Sequence, residues 1–294
     1  MSQQVWLVTG CSSGFGEQYI KTIIERGDKA IATARNIDSI KHLKDLGAAT
    51  LQLDMTDSRE VMEKKVKEAV DIYGKIDYVV QNAGYGYIAT LEDIEEDALL
   101  KEFDTLVFGV VRLTQAVTPY FRKQGSGFVV LVSSLASTTS IPAAGPYSGA
   151  KAAVEAFIKS YAQEVKDVGI KALILQPGSY RTNIREVTRF KQNLPKSTKE
   201  HQALYDNVTK LIEATHNTQE GDPRLFCELT WDFVKGTGVA EGKEVPLALS
   251  MGGEAVDFEL DRRQKSLDEL KEWEAIVRNT DFPGAKKGWS LTEI

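Results

Sequence analysis

Short apolar, β-branched runs recur along the chain, separated by longer segments whose apolar positions return at helical spacing. The runs Val5–Val8, Ala30–Ala34, Thr50–Leu53, Tyr78–Gln81, Phe128–Val132 and Lys171–Leu175 predict strands, with a last short one at Val245–Leu249. After the first run a helical pattern turns Tyr19, Ile20, Ile23 and Ile24 inward and stops at Gly27. Helices are also predicted over Arg59–Tyr73, Asp97–Phe121 and Tyr147–Val168, the last with Ala153, Phe157 and Tyr161 at helical spacing. Strands that alternate with helices in this way predict an α/β fold, a doubly wound parallel sheet with helices on both faces. Such a sheet opens its ligand crevice at the carboxyl ends of its strands. Gly10, Asn82, Ser134 and Pro177 each follow a strand and should converge on that edge. No linker divides the pattern, so residues 1–294 read as a single domain. Two stretches leave the alternation: a polar segment of about 183–221 with helical hints from His201 to Thr215, expected to form a lid, and a charged tail from about 254.

Composition narrows the class. The 294 residues are 42% hydrophobic and 27% charged, an ordinary globular balance. A net charge of −6 argues against nucleic acid or an anionic membrane as partner. No apolar stretch approaches the roughly 20 residues of a membrane span. No basic segment followed by an apolar core precedes Val5, so no signal peptide is expected. Cys11 and Cys227 have no metal-ligand spacing and argue against a disulfide framework. A soluble cytoplasmic protein without a metal is the expectation.

The candidate chemistry centres on Tyr147-Ser148-Gly149-Ala150-Lys151. Four residues make just over one helical turn, so Tyr147 and Lys151 share a face. A phenol has an unperturbed pKa of about 10, and an ammonium beside it favours the phenolate, which suits proton transfer near neutral pH. A hydroxyl from Ser134 aimed at the same point would polarise a carbonyl. Upstream, Gly10, Gly14 and Gly16 form G-x-x-x-G-x-G between a strand and a helix, where backbone approaches a pyrophosphate and the helix N-terminus favours anions. This is the phosphate turn of a Rossmann-type sheet. The second strand ends in Ala34-Arg35-Asn36 where NAD sites place an acid for the ribose 2′-hydroxyl; a guanidinium there suits a 2′-phosphate and favours NADP(H), the other reading of Arg35 being a solvated loop residue. Asp54 reads equally as a partner for the adenine amino group and as the cap of an Asx-type turn. Asn82-Ala83-Gly84 ends the fourth strand beside the cofactor position, or forms a turn only.

Together these residues resemble the short-chain dehydrogenase/reductase family in its NADP-preferring form. The motifs are T-G-x-x-x-G-x-G at Thr9 to Gly16, N-A-G at Asn82 to Gly84, Ser134, Y-x-x-x-K at Tyr147 to Lys151, and Pro177-Gly178 with Thr182 following. The later segments look most like the retinol and 17β-hydroxysteroid dehydrogenase branch, which implies bulky, partly apolar substrates. The resemblance implies hydride transfer between the nicotinamide and a carbonyl or secondary alcohol. Tyr147 would be the acid or base, Lys151 would lower its pKa and hold the nicotinamide ribose, and Ser134 would bond the reacting oxygen. Ser133 would be a structural neighbour. The implied cofactor contacts are Thr9, Gly10, Ser12, Ser13, Gly14, Phe15, Gly16, Arg35, Asp54, Met55, Asn82, Ala83, Gly84, Tyr147, Lys151, Pro177, Gly178 and Thr182. The resemblance also implies a homodimer or homotetramer through the long helices near Leu106 and Ala153.

One departure stands out. Where the family carries an asparagine in N-x-x-G, this chain has Leu106-Val107-Phe108-Gly109. In the family that asparagine holds a water that connects the lysine to solvent, and leucine has neither donor nor acceptor. Either other groups supply the proton, or the pocket serves a redox-neutral isomerase, epimerase or cyclase that retains NADP. A cofactor-sensing binding protein is a third reading, which leaves Ser134, Tyr147 and Lys151 superfluous. Tyr85, Tyr87 and Tyr180 form either an aromatic clasp for the substrate or ordinary packing. His201 and His216, in the lid, read as solvated.

Overall fold

In the computed structural model, residues 3–139, 141–183, 194–195 and 199–282 are described. Their strands are β1 (Val5–Val8), β2 (Lys29–Ala34), β3 (Ala49–Gln52), β4 (Tyr78–Gln81), β5 (Gly127–Val132), β6 (Ile170–Pro177) and β7 (Ala248–Met251). They form one parallel sheet in the order β3-β2-β1-β4-β5-β6-β7. The chain winds outward in both directions from β1 and β4, so the topological switch point lies between them. Val8 is level with Ala32 on one side and Val80 on the other, which brings the residues after all three strands to one edge.

The helices are α1 (Gly14–Glu25), α2 (Arg59–Tyr73), α3 (Glu96–Phe103), α4 (Gly109–Gln124), α5 (Gly145–Glu164), α6 (Gln202–Thr215), α7 (Pro223–Lys235) and α8 (Gly253–Val277). The sheet's strands are apolar on both faces because each face carries a helical layer. Leu7, Val79, Val129 and Ile174 pack with Met62, Val66, Leu113, Val117, Val154 and Ile158 of α2, α4 and α5. On the other face Trp6, Val8, Val80, Val130 and Leu175 pack with Ile20 and Ile23 of α1 and Phe226 and Val234 of α7. Local signals set the helix ends. The Ser58 hydroxyl accepts from Val61 N at 3.4 Å to start α2, and Gly74 ends it at φ +80°. The Asp222 carboxylate accepts from Arg224 N at 2.7 Å, with Pro223 in the first turn of α7.

The expected doubly wound sheet is present, with two corrections to the elements. The segment expected as one helix over Asp97–Phe121 is α3 and α4 joined through a π-helical turn, Asp104–Phe108. The last strand is shifted to Ala248–Met251, paired with Ile174–Pro177. The lid region contains α6, as its helical pattern indicated; residues 184–193 and 196–198 of that segment lie outside the described residues. The chain divides into two compact units, Met1–Ala255 and Val256–Ile294. Among the described residues of the second unit, α8 continues to Val277 and Pro283-Gly284 fall outside the description. No helix among the described residues is long and apolar enough to cross a membrane.

Candidate active site

The glycine turn after β1 and the turn after β4 hold each other. Thr9 is buried, and its hydroxyl accepts from Asn82 N at 2.9 Å and Ala83 N at 3.0 Å. In return the Asn82 amide donates to Thr9 O at 2.9 Å and Gly10 O at 3.2 Å. Gly10 takes φ +71°, and a Cβ there would stand 2.7 Å from Ala83 Cα; at Gly16 it would run into the Gly10 carbonyl. Only glycine fits either position. Ser12 lies in this turn, and Ser13 is the N-cap of α1, yet the Ser13 hydroxyl makes no capping bond. The first amides of α1 are therefore left to an anionic guest, and Thr182 stands over them, its Cβ 3.2 Å from where a Gly14 side chain would begin. This cradle suits a pyrophosphate.

The other residues expected at the cofactor lie as follows. Arg35 is exposed just beyond β2. Asp54 Oδ1 accepts from both Thr56 N at 3.0 Å and Thr56 Oγ1 at 2.9 Å, which is the Asx turn. Met55 is buried; its carbonyl accepts from Arg112 at 2.8 Å and abuts Gly109. The Phe15 ring stacks on Phe226 at 4.1 Å, so only its backbone belongs to the cradle. Pro177 ends β6, Gly178 N donates to Met251 O at 3.1 Å, and Ser179 N donates to the Glu254 carboxylate at 2.6 Å.

Across the same edge, α5 presents Tyr147 and Lys151. Lys151 is 5% exposed and its Nζ donates to Val132 O at 2.9 Å, pinning the helix to the end of β5. The Nζ lies 5.7 Å from the centre of the Tyr147 ring, whose edge faces Gly86. Burial lowers the Lys151 ammonium to about 8, against the pull of Glu155 and Glu102. The Ser134 hydroxyl accepts from Ala136 N at 3.1 Å, which leaves its proton for a second acceptor. Ser133 instead donates to Glu155 Oε1 at 2.6 Å, and Gln176 donates to both oxygens of the same carboxylate. Ser133 is thus part of the scaffold under α5.

Leu106 stands where the asparagine was expected. It is buried, and a Cβ on Gly84 would be 2.8 Å from its Cδ2 and 3.9 Å from Lys151 Nζ, so the leucine and the ammonium both border Gly84. One turn earlier is Glu102, which sequence reasoning passed over. Its side chain is fully buried, Oε1 accepts from Tyr87 N at 2.8 Å, and Oε2 has no hydrogen-bond partner among the described residues. Burial raises this carboxyl to about 7, opposed by the Tyr87 N–H and by the Lys151 charge. The signal available in sequence was a carboxylate four residues before Leu106, on the same helical face.

The aromatic clasp does not form from the three tyrosines. Tyr180 packs edge-on to Phe15 at 5.1 Å and Phe226 at 5.2 Å, and burial pushes its phenol up to about 12. Tyr87 is buried, its hydroxyl accepting from Glu95 N at 3.0 Å. Tyr85 alone of the three keeps a partly open position without such a packing role. His201 is not simply solvated. It meets Asp93 Oδ2 at 3.0 Å, and the Tyr205 hydroxyl donates to the same oxygen at 3.0 Å while accepting from Thr90 N at 2.9 Å. These bonds clasp α6 to the segment after β4. Tyr205→Phe removes a buried donor to Asp93 and leaves Thr90 N without the acceptor it has in Tyr205, so urea unfolding is expected to show a loss of about 1–3 kcal/mol; an unchanged midpoint would mean the clasp contributes nothing.

A glycine turn at the switch point of a parallel sheet, with its helix N-terminus left open, places the molecule in the Rossmann-type class of dinucleotide-binding folds. The comparisons give the family. The short chain dehydrogenase family model matches residues 4–193, and the chain belongs to that family of oxidoreductases. It is 29% identical to an uncharacterised oxidoreductase of Bacillus subtilis, over 96% of this chain and 100% of the relative. It is 31% identical to oxidoreductase BOA17 of Botryotinia fuckeliana, over 87% of this chain and 91% of that one. The crystal structure of a short-chain dehydrogenase from Streptomyces avermitilis superposes with a TM-score of 0.83 at 33% identity, covering 96% of this chain and 100% of the other.

Proposed function

We propose that the protein is an NADP(H)-dependent oxidoreductase of the cytoplasm that interconverts a carbonyl and a secondary alcohol on a bulky, partly apolar small molecule. The observation that carries the reading is the Lys151 ammonium, buried, anchored to Val132 O and set 5.7 Å from the Tyr147 ring centre on the edge that carries the glycine turn. Bound nicotinamide supplies or accepts the hydride. In reduction Tyr147 gives its phenolic proton to the carbonyl oxygen, and in oxidation it takes that proton back. Ser134 donates to the same oxygen, and Lys151 favours the phenolate and holds the ribose hydroxyls. Glu102 serves in place of the missing asparagine: its acid form returns a proton to Lys151 after Lys151 has reprotonated Tyr147, and the Glu102 carboxylate then takes up a proton from solvent, the one that each reduction consumes.

Arg35, exposed at the end of β2, supports the choice of NADP(H). The apolar substrate body is supported by a hollow of about 450 Å³ at the start of α5, whose lining includes Ala89, Ile94, Phe103, Ile141 and Pro146. Exposed Phe108 on the α3–α4 side and Phe157 on α5 support assembly as a homodimer or homotetramer through those helices. Buried, unpaired Cys11 and Cys227 accord with a reducing compartment. The test is NADPH absorbance decay over a panel of bulky ketones and aldehydes. NADPH is expected to be preferred over NADH, and Arg35→Asp to lower that preference at least about tenfold. No decay with any substrate, despite NADPH binding, would overturn the reading.

Leu106, which borders Gly84 as Lys151 does and offers no polar atom to a relay water, favours one second reading: a redox-neutral isomerase, epimerase or cyclase with retained NADP. Product formed without net change in NADPH would establish it.

A further inference from the structure

Helix α8 carries an exposed seam that is complementary to itself when reversed. Positions 260, 263, 267, 270, 274 and 277 follow the alternating three-and-four spacing that lines up one face of a paired helix. Their occupants are Leu260, Arg263, Leu267, Leu270, Glu274 and Val277. The four apolar members are 64%, 45%, 61% and 47% exposed, in chain order. A second α8 laid antiparallel, with the two-fold axis between Asp268 and Glu269, sets Leu267 against Leu270 of the second copy, Leu260 against Val277, and Arg263 against Glu274. Each contact occurs twice, as an isologous interface requires.

The charges decide both orientation and occupant. Within one chain Arg263 already bonds Glu259 at 2.6 Å and Arg278 bonds Glu274 at 2.8 Å. Antiparallel pairing joins these into a run of alternating sign across two helices: Glu259, Arg263, Glu274 and Arg278. Parallel pairing would put arginine on arginine and glutamate on glutamate. An anionic lipid surface is disfavoured, because carboxylates outnumber cations along α8. We propose that α8 is a homotypic docking element that pairs antiparallel with α8 of a second copy of this chain. It is a contact separate from the faces of α4 and α5 and does not depend on the catalytic reading. The paired length, about 27 Å from 1.5 Å per residue, buries less than the roughly 1,200 Å² of a standard stable interface. A dissociation constant on the order of 10 μM is therefore expected for this contact alone.

Register is tested by oxidative cross-linking of the full-length protein. Leu267→Cys and Leu270→Cys are prepared separately and mixed; Cys11 and Cys227 are buried and do not compete. The expected product is the mixed disulfide, in at least about fivefold excess over either like-with-like disulfide. Excess like-with-like product, or no cross-link at 100 μM protein, on the order of ten times the expected dissociation constant, overturns the proposal. Sedimentation velocity supplies the second measurement. Arg263→Glu is expected to weaken association by about tenfold or more, and Arg263→Glu combined with Glu274→Arg to regain most of it. Equal association of the wild type, the single variant and the double variant overturns the charge pairing.

Discussion

Tyr147→Phe is expected to lower NADPH-dependent carbonyl reduction by about 10²–10⁴-fold, the usual weight of a positioned proton donor. The substitution removes one oxygen and leaves the ring where it is, with its edge against Gly86 and Lys151 Nζ above it. Lys151 keeps its bond to Val132 O, and the cradle formed by Thr9, Gly10, Asn82 and the start of α1 lies on other elements. NADPH affinity, read from its fluorescence, should therefore change by less than about threefold while turnover collapses. Undiminished turnover in the variant would remove Tyr147 from its role.

Glu102→Gln is expected to reduce turnover by about tenfold or more, and to change how rate depends on pH. An amide oxygen still accepts from Tyr87 N, so the local fold is kept while the titrating proton is lost. The charged and titratable groups that bear on Glu102 are Lys151 on α5 and Tyr85 and Tyr87 after β4. The sign follows from the direction of the step. Reduction consumes the acid form of Glu102, whose carboxyl is raised to about 7, so the wild-type rate falls as pH rises through that value. In Glu102→Gln this limb should disappear and the solvent isotope effect should grow, and Leu106→Asn added to the variant should restore part of the rate. An infrared carboxyl band that titrates near pH 7 and vanishes in Glu102→Gln reads the same group without turnover. Identical pH profiles would leave Glu102 a structural acid only. Because Tyr147→Phe is run beside it, failure of the relay is distinguished from failure of the reductase reading.

Much of this architecture was legible because parallel strands buried on both faces are runs of apolar residues, as Val129-Val130-Leu131-Val132 shows. The shift of β7 has a physical cause. Val245-Pro246-Leu247 is apolar enough to read as strand, but proline offers no N–H, and the ladder with β6 begins after it, at Ala248. Spacing along one helix was enough to put Tyr147 and Lys151 on one face, and a strand end enough to bring Asn82 to Gly10. The Asp54 alternative was open in sequence because both readings need the same residue; Thr56 closes the turn. What was not legible depends on distant partners. Nothing near Asp93 announces Tyr205, 112 positions away, and the burial of Glu102 is made by α5 and the turn after β4. The π-helical turn was hidden for a different reason: one widened ring of backbone hydrogen bonds leaves little trace in an apolar periodicity.

That turn has a consequence for how the family's sequences can lengthen and shorten here. A π turn holds one residue more than the α-helical turn it replaces, and each residue rotates a helix by about 100°. Deleting any one residue within Asp104–Phe108 would let α3 run into α4 as regular helix, with Gly109 still held against Met55. The regular turn closes the same full circle with one residue fewer, so Glu96–Phe103 would keep their facing and Glu102 would stay turned toward α5. The π turn is thus the place between Glu96 and Gln124 where a residue can be shed without turning Glu102 away, whereas a deletion within α4 would rotate everything upstream by about 100°.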